Sequence, residues 1–338
     1  MEKFDIDQYL NSLPDDINTI NLSFRNLTYL PDLSKFKKLE KLNCYFNNLT
    51  SLPILPKNLE SLCCSNNNLT SLPLLPENLK ELYCDNNNLI SLTDLPENLE
   101  LLFCNNNKLT SLPFLNDNLK ELWCSGNQLK SLPVLNKNLE ILDCDSNQLM
   151  LLPVLPENLV ELNCKYNRLI SLPVLNDNLQ SLECYCNNLK SLPILNNNLE
   201  FLNCSYNYLT SLPILNDNLE LLDCSYNCLT SLPILPEKLI DIDCQHNNIT
   251  SLPILPEKLK DFNFYDNPIY NIIKYDNDPN IMNRQIKILN NFSHLYYCLK
   301  YRTKFLKMME PVIKKRYHPS YLDNLTEDYD LDEILKKW

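Results

Sequence analysis

The hydrophobic positions of this chain recur every 20 residues from Leu39 to Asn267. One unit, which begins at Leu59, reads LESLCCSNNNLTSLPLLPEN, and the next, at Leu79, reads LKELYCDNNNLISLTDLPEN. The shared frame is L-x-x-L-x-C-x-x-N-x-L-x-S-L-P-x-L-P/N-x-N. A fixed period of this length, kept without a slip, is typical of a solenoid in which each turn contacts only its neighbours.

The two halves of each unit predict different backbones. The alternation L-x-C predicts a short strand whose Leu and Cys side chains both point inward. The S-L-P-x-L-P half carries up to two prolines, which fix φ and donate no hydrogen bond, so we expect an extended, polyproline-like segment there. The Asn between the halves is expected to bond backbone groups at the bend, and stacked units would align these amides in a ladder.

The frame weakens towards both ends of the array. Residues 17–38 read as a degenerate first unit in which Leu22 takes the Cys slot and Arg25 the Asn slot. Residues 1–16 are predicted to form an N-terminal cap, with Asp5 at the start of a short helix. Such a lid would keep the terminal core out of water.

After the array, which is predicted to span residues 17–273, the period changes. Residues 274–338 are predicted to be a mostly helical C-terminal cap or tail. An amphipathic helix is expected from about Asn280, with its apolar side made of Ile281, Ile286, Leu289, Phe292, Leu295 and Tyr296. The basic segment 299–319 and an acidic, amphipathic end follow, and the sequence leaves open whether they cover the array or bind something else.

The frame resembles the leucine-rich repeat, L-x-x-L-x-L-x-x-N-x-L, with Cys in the third apolar slot. Its short period and L-P-x-L-P half resemble the bacterial effector subclass of that family. The resemblance implies an α/β-type repeat solenoid, a horseshoe of about 13 turns with parallel strands on the concave face and an extended convex side. It also implies protein binding through the concave face.

Cysteine is abundant, with 15 residues, but its placement indicates packing. Eleven of these cysteines occupy the inward slot after L-x, where a free thiol behaves as a small apolar group. Parallel side chains one strand apart are poorly placed for disulfides, and no four ligands converge as a structural zinc site needs. The eleven are Cys44, Cys64, Cys84, Cys104, Cys124, Cys144, Cys164, Cys184, Cys204, Cys224 and Cys244.

The charge of the chain argues against nucleic acid as a partner of the array. The formal net charge is −12, and residues 268–338 hold more basic than acidic residues, so the negative excess lies on the repeats. An acidic array repels phosphate backbones. No apolar run is long enough to span a membrane, and the first residues do not read as a secretory signal, so a cytoplasmic or nuclear protein is expected.

No catalytic constellation is visible in the sequence. The three histidines have no partner at the spacing of a known catalytic motif, and a single glycine, Gly126, excludes glycine-rich phosphate loops. We therefore expect no enzymatic activity, no cofactor and no metal.

The slots that the frame leaves free carry the candidate binding residues. Tyr83, Phe103 and Trp123 fall in the outward strand slot of successive turns, with Leu101 and Ile141 beside them. A contiguous exposed apolar patch of this kind typically marks an interface. The alternative is that the rings only stack on one another and stabilise the sheet.

An acidic series continues the same slot, and aromatic residues accompany it. We expect this half to receive a basic partner segment, although the charges could equally be solvated without a partner. The acidic residues are Asp143, Glu183, Asp223 and Asp243, and the accompanying column contains Tyr166, Cys186, Tyr206, Tyr226 and His246.

The sequence therefore predicts a non-enzymatic scaffold that binds partner proteins on its concave face. One alternative is an adaptor or cryptic component of a ubiquitin-ligase assembly that acts through the C-terminal tail. Another is a purely structural protein that assembles by its sides. The partner, the pathway and the oligomeric state do not follow from the sequence.

Overall fold

The computed structural model describes residues 4–273, 276, 278–292 and 307. The chain divides into two compact units, Met1–Asn283 and Arg284–Trp338. The repeats belong entirely to the first unit. Most of the basic segment 299–319 and all of the acidic end that follows it lie outside the described residues.

Thirteen strands of three residues each form one parallel sheet in chain order. Neighbouring strands pair without any shift of register, so that Leu42 lies opposite Leu62. This confirms the predicted solenoid of parallel strands. The strands are β1 Thr19–Asn21, β2 Lys41–Asn43, β3 Ser61–Cys63, β4 Glu81–Tyr83, β5 Leu101–Phe103, β6 Glu121–Trp123, β7 Ile141–Asp143, β8 Glu161–Asn163, β9 Ser181–Glu183, β10 Phe201–Asn203, β11 Leu221–Asp223, β12 Asp241–Asp243 and β13 Asp261–Asn263.

A buried column of twelve asparagines links the turns to one another. In one turn, the Asn67 side-chain NH₂ donates to the backbone oxygens of Cys44, at 3.0 Å, and Cys64, at 3.1 Å. Its side-chain oxygen accepts from Leu49 N at 3.0 Å. Because the chain bends here, no strand ladder can satisfy these groups, and the asparagine takes over that role. The predicted ladder is confirmed.

The eleven frame cysteines are fully buried, each with no exposed surface, and their thiols are free. Burial raises the pKa of every one of them, for Cys44 and Cys184 to about 12. These thiols therefore act as apolar packing groups, as predicted.

The opposite side of each turn is extended and contains almost no regular structure, with one isolated bridge between Ser231 and Ser251. Its chain returns to the sheet through a tight turn, in which Leu59 N donates to Pro56 O at 3.2 Å. Proline fits this segment because its missing N–H has no ladder to join.

The two ends of the array carry helices. Helix α1, Ile6–Ser12, begins at the predicted N-cap, where Asp5 accepts from Gln8 N at 2.9 Å, and it buries Ile6 and Leu10. A short 3₁₀ helix, Pro268–Asn271, follows β13. A helix over residues 279–292 comes next, which confirms helix formation in this region. The capping roles and domain boundaries assigned from the sequence stay predictions.

The first turn of the 279–292 helix contacts the last repeats. The Asn283 side chain accepts from Leu255 N at 2.7 Å and donates to Leu255 O at 2.9 Å, while Met282 is buried. Of the predicted apolar side, Ile286 is buried and Leu289 is partly exposed, whereas Ile281 and Phe292 are exposed. Leu295 and Tyr296 lie outside the described residues.

Candidate functional site: the outward face of the strands

The strand face presents two side chains from every turn. The central residue of each strand is buried, and in most strands the first and third residues are partly exposed. Because successive residues of a strand point to opposite sides, these two positions form two parallel columns across the sheet. The side chains of these two columns are not part of the buried core.

Three aromatic rings stack in the third-residue column. The rings of Tyr83 and Phe103 lie 5.0 Å apart between centroids, and those of Phe103 and Trp123 lie 5.4 Å apart at an angle of 9°. The indole N–H of Trp123 donates to the Glu121 carboxylate at 3.0 Å. The rings are therefore held in a fixed array and remain partly exposed. The three rings thus stack on one another and still expose part of their surface.

Leu101 and Ile141 occupy the first-residue column, at the strands of Phe103 and Asp143. Both are partly exposed. Glu121 lies between them in this column, and their part in binding stays a prediction.

All four of the predicted acidic residues have partners within the array. Glu183 pairs with the Lys165 ammonium at 3.1 Å. Asp143 accepts from the Asn163 side chain at 3.2 Å, and burial raises the pKa of its carboxyl. Asp243 and Asp223 accept hydrogen bonds in the same way, from the Asn263 side chain at 3.1 Å and from Ser225 Oγ at 2.7 Å. Glu183 differs from the other three because its partner is a cation.

Asp223 and Asp243 belong to a compact acidic group at the C-terminal end of the face. Asp241 and Asp261, in the first-residue column of β12 and β13, join them. Burial raises the pKa of Asp241, and the charges of Asp261, Asp243 and Asp223 raise it further. Sequence reasoning missed Asp241 and Asp261 because it followed only the third-residue column, although the same period marks both.

An open trough of about 600 Å³ contains this acidic group. Phe201 and Leu221 give the trough an apolar side, and Tyr265 and Tyr270 line its end. Negative charge and apolar surface therefore meet in one concavity.

The accompanying aromatic column lies on the bend after the strands, beside the strand face. Tyr206, Tyr226 and His246 all have left-handed backbones, with φ of 50°, 51° and 51°. Their rings stack at 4.1 Å and 4.2 Å, and His246 Nδ1 lies 2.6 Å from the Asp266 carboxylate. The N-terminal part of the column is less regular, since Tyr166 packs edge-on against Tyr185 and Cys186 separates it from Tyr206.

Gly126 occupies the same bend position, with φ of 62°. A side chain there would collide with Asn106, whose side-chain oxygen would lie 2.3 Å from the added Cβ. Other turns hold Asn, Ser or Tyr at this position with a similar φ, so Gly126 suits the left-handed bend but is not required by it.

Among the described residues, no group of three or more His, Cys, Asp or Glu side chains could hold a metal ion. No helix in the same part of the chain is long and apolar enough to cross a membrane.

Comparison with known proteins agrees with this architecture. A family model described as Leucine Rich repeats (2 copies) matches residues 57–97 and 97–136. YopM from Yersinia enterocolitica is 38% identical, with a TM-score of 0.74, over 76% of this chain and 57% of its own. YopM from Yersinia pestis, a leucine-rich effector protein, is 32% identical over 74% of this chain and 84% of its own, with a TM-score of 0.61.

This chain belongs to the leucine-rich repeat family and is of the bacterial effector type. InlJ from Listeria monocytogenes, whose functional domain includes a cysteine ladder, is 29% identical over 77% of this chain and 55% of its own, with a TM-score of 0.55. No curated protein matches the chain.

Proposed function

We propose that the protein is a non-enzymatic scaffold that binds a protein partner on the outward strand face, with Phe103 and Trp123 as its main anchors. The stacked aromatic rings carry this proposal. Trp and Tyr side chains dominate the binding energy of protein interfaces, and their rigidity lowers the entropy lost on binding. Leucine-rich repeats commonly serve as protein-binding scaffolds, which supports the same function.

The frame itself does not require aromatic residues at these positions. The equivalent slots in β8 and β10 hold Asn163 and Asn203, and these strands pair with the same register as the aromatic ones. The aromatic residues therefore add surface that the solenoid can form without.

The acidic trough would hold a second part of the same partner. Its four carboxylates are crowded beside Phe201 and Leu221, and burial together with the charges of the other three raises the pKa of Asp241. A basic segment that also carries apolar side chains satisfies both features, because it neutralises the carboxylates and covers the apolar side. We infer that the partner presents Lys or Arg to this end of the face.

Replacing Phe103 and Trp123 together with Ser tests the anchor role. We expect the double variant to lose its partners in affinity capture from lysate, followed by identification of the captured proteins. Tyr208→Ser is the matched control, because Tyr208 is 57% exposed and lies outside the strand face. Unchanged capture by the double variant would exclude these rings as anchors.

The adaptor role in a ubiquitin-ligase assembly depends on residues beyond 292, nearly all of which lie outside the described part of the chain. No contact among the described residues favours it. It stays an alternative, and deletion of residues 284–338 would test it in a reconstituted conjugation assay.

A further inference from the structure

A row of exposed apolar side chains runs along the side of the array opposite the strands. It occupies the x position of L-P-x-L in each unit, and we call it the apolar ridge. Most of its members are at least three-quarters exposed. The ridge consists of Ile54, Leu74, Phe114, Val134, Val154, Val174, Ile194, Ile214, Ile234 and Ile254.

The backbone forces these side chains outward. The residue that follows each ridge position, such as Leu55 after Ile54, is buried in the core. Successive residues of an extended segment point to opposite sides, and the adjacent prolines hold that conformation. A ridge side chain therefore cannot turn inward, and Ile194, Ile214 and Ile234 are each 88% exposed.

The fold does not need apolar residues at this position. In the turn between Phe114 and Leu74 the slot holds Asp94, which is exposed, and the strands on both sides keep their register. A polar residue is thus accepted there, as is Asp32 in the equivalent slot of the first turn, yet the remaining ten of these twelve turns carry Ile, Val, Leu or Phe. Exposed apolar side chains have a solubility cost, so a recurring row of them indicates a surface that is covered in use.

The size of the ridge fits an interface between proteins. Each of these turns contributes one ridge side chain, so the ridge is a row that crosses successive turns. Ten such side chains offer on the order of 1,000 Å² of apolar surface, whereas a standard interface buries ~800 Å² per partner.

We propose that the apolar ridge pairs with the ridge of a second copy of this chain. A two-fold interface joins the same patch of both copies, so a surface with one regular period is complementary to itself. From Phe114 to Ile254 the ridge holds eight apolar residues without a charge. The net charge of −12 makes two copies of the chain repel each other. This repulsion is weakest at the uncharged run of the ridge. Such a pair leaves the outward strand face of each copy free.

The oligomeric state of the full-length protein tests this proposal. We expect sedimentation velocity to show a dimer at micromolar concentration. Val174→Asp combined with Ile194→Asp should give a monomer, with the dissociation constant raised by about two orders of magnitude, because pairing would bury unpaired charges. Both positions are more than four-fifths exposed, so the folded chain accommodates the substitutions.

The matched control is Thr210→Asp combined with Thr230→Asp, which adds the same charge on neighbouring exposed positions outside the ridge. The control should remain a dimer, and circular dichroism should show that all three proteins are folded. A wild-type protein that stays monomeric at ~100 µM would overturn the proposal. So would a dimer that persists in the ridge variant or dissociates equally in the control.

Phe103→Ser with Trp123→Ser should leave the dimer intact, so this proposal and the strand-face proposal fail independently.

Discussion

The buried columns and the exposed columns of this array follow the same period but differ in what they tolerate. The asparagine column is uniform over twelve turns, and each member is buried and bonded to two turns. The strand-face column changes from Tyr, Phe and Trp to Asp, Asn and Glu over the same strands. The uniform columns thus maintain the solenoid, and the variable ones are free to determine what it binds.

If this division holds, substitutions in the two kinds of column should have separate effects. Interior changes should lower stability, and strand-face changes should lower affinity with little loss of stability.

Alkaline pH should unfold the protein through its buried thiols. Burial raises the pKa of these thiols in the folded chain, for Cys184 to about 12, whereas unfolded Cys ionises near pH ~8.5. Stability is therefore complete below that pH and falls as the pH rises towards the folded value, since the unfolded state binds fewer protons. Each buried thiol should contribute ~1.4 kcal/mol per pH unit in this window, measured by urea unfolding in reductant between pH ~9 and ~11.

Cys184→Ala should lower stability at neutral pH. It should also make the decrease of the free energy of unfolding with rising pH less steep, by the contribution of one thiol. Cys228→Ser, at an exposed position, should leave the slope unchanged. An unaltered slope in Cys184→Ala would contradict the assignment of alkaline unfolding to the buried column.

Asn67→Ala should destabilise the protein by ~3 kcal/mol, because it leaves Leu49 N and several backbone oxygens without their partner in the interior. The adjacent Asn68 provides a control of the same residue type, since its side chain is exposed. Asn68→Ala should change the free energy of unfolding by less than ~0.5 kcal/mol. Equal losses in the two urea unfolding curves would show that the ladder is not what stabilises the bend.

Asp241→Asn combined with Asp243→Asn should have the smallest effect. Partner binding should weaken by about tenfold near 0.05 M salt and by much less near 0.5 M, because salt screens charges at an open surface. Stability should change by less than ~1 kcal/mol, because relief of repulsion among the carboxylates opposes the loss of hydrogen bonds that Asp243 accepts from Gln245 and Asn263. A loss of affinity that does not depend on salt would argue against a basic partner segment.

The sequence predicted the interior almost completely, because each interior slot has one physical requirement. The inward Leu and Cys, the bonded Asn and the prolines follow from strand alternation and from the need to satisfy the backbone at each bend. The thirteen strands and the asparagine ladder could therefore be predicted from the sequence.

The surface was predicted less well because its properties depend on neighbouring columns. The pairing of Glu183 with Lys165 and the grouping of Asp241 and Asp261 with Asp243 required the actual register and side-chain contacts. The apolar ridge was visible in the sequence as a recurring apolar residue in L-P-x-L. Its significance became clear only when Leu55 proved buried and Ile54 exposed.

The most direct test of the strand-face proposal is the affinity of one captured partner for Phe103→Ser with Trp123→Ser, measured beside the free energy of unfolding. Loss of two aromatic anchors should weaken binding by at least ~30-fold, while loss of the ring stack should lower stability by only ~1 kcal/mol. Tyr208→Ser should change neither quantity appreciably. An unchanged dissociation constant in the double variant, or an equal loss in Tyr208→Ser, would contradict the assignment of partner binding to the aromatic column.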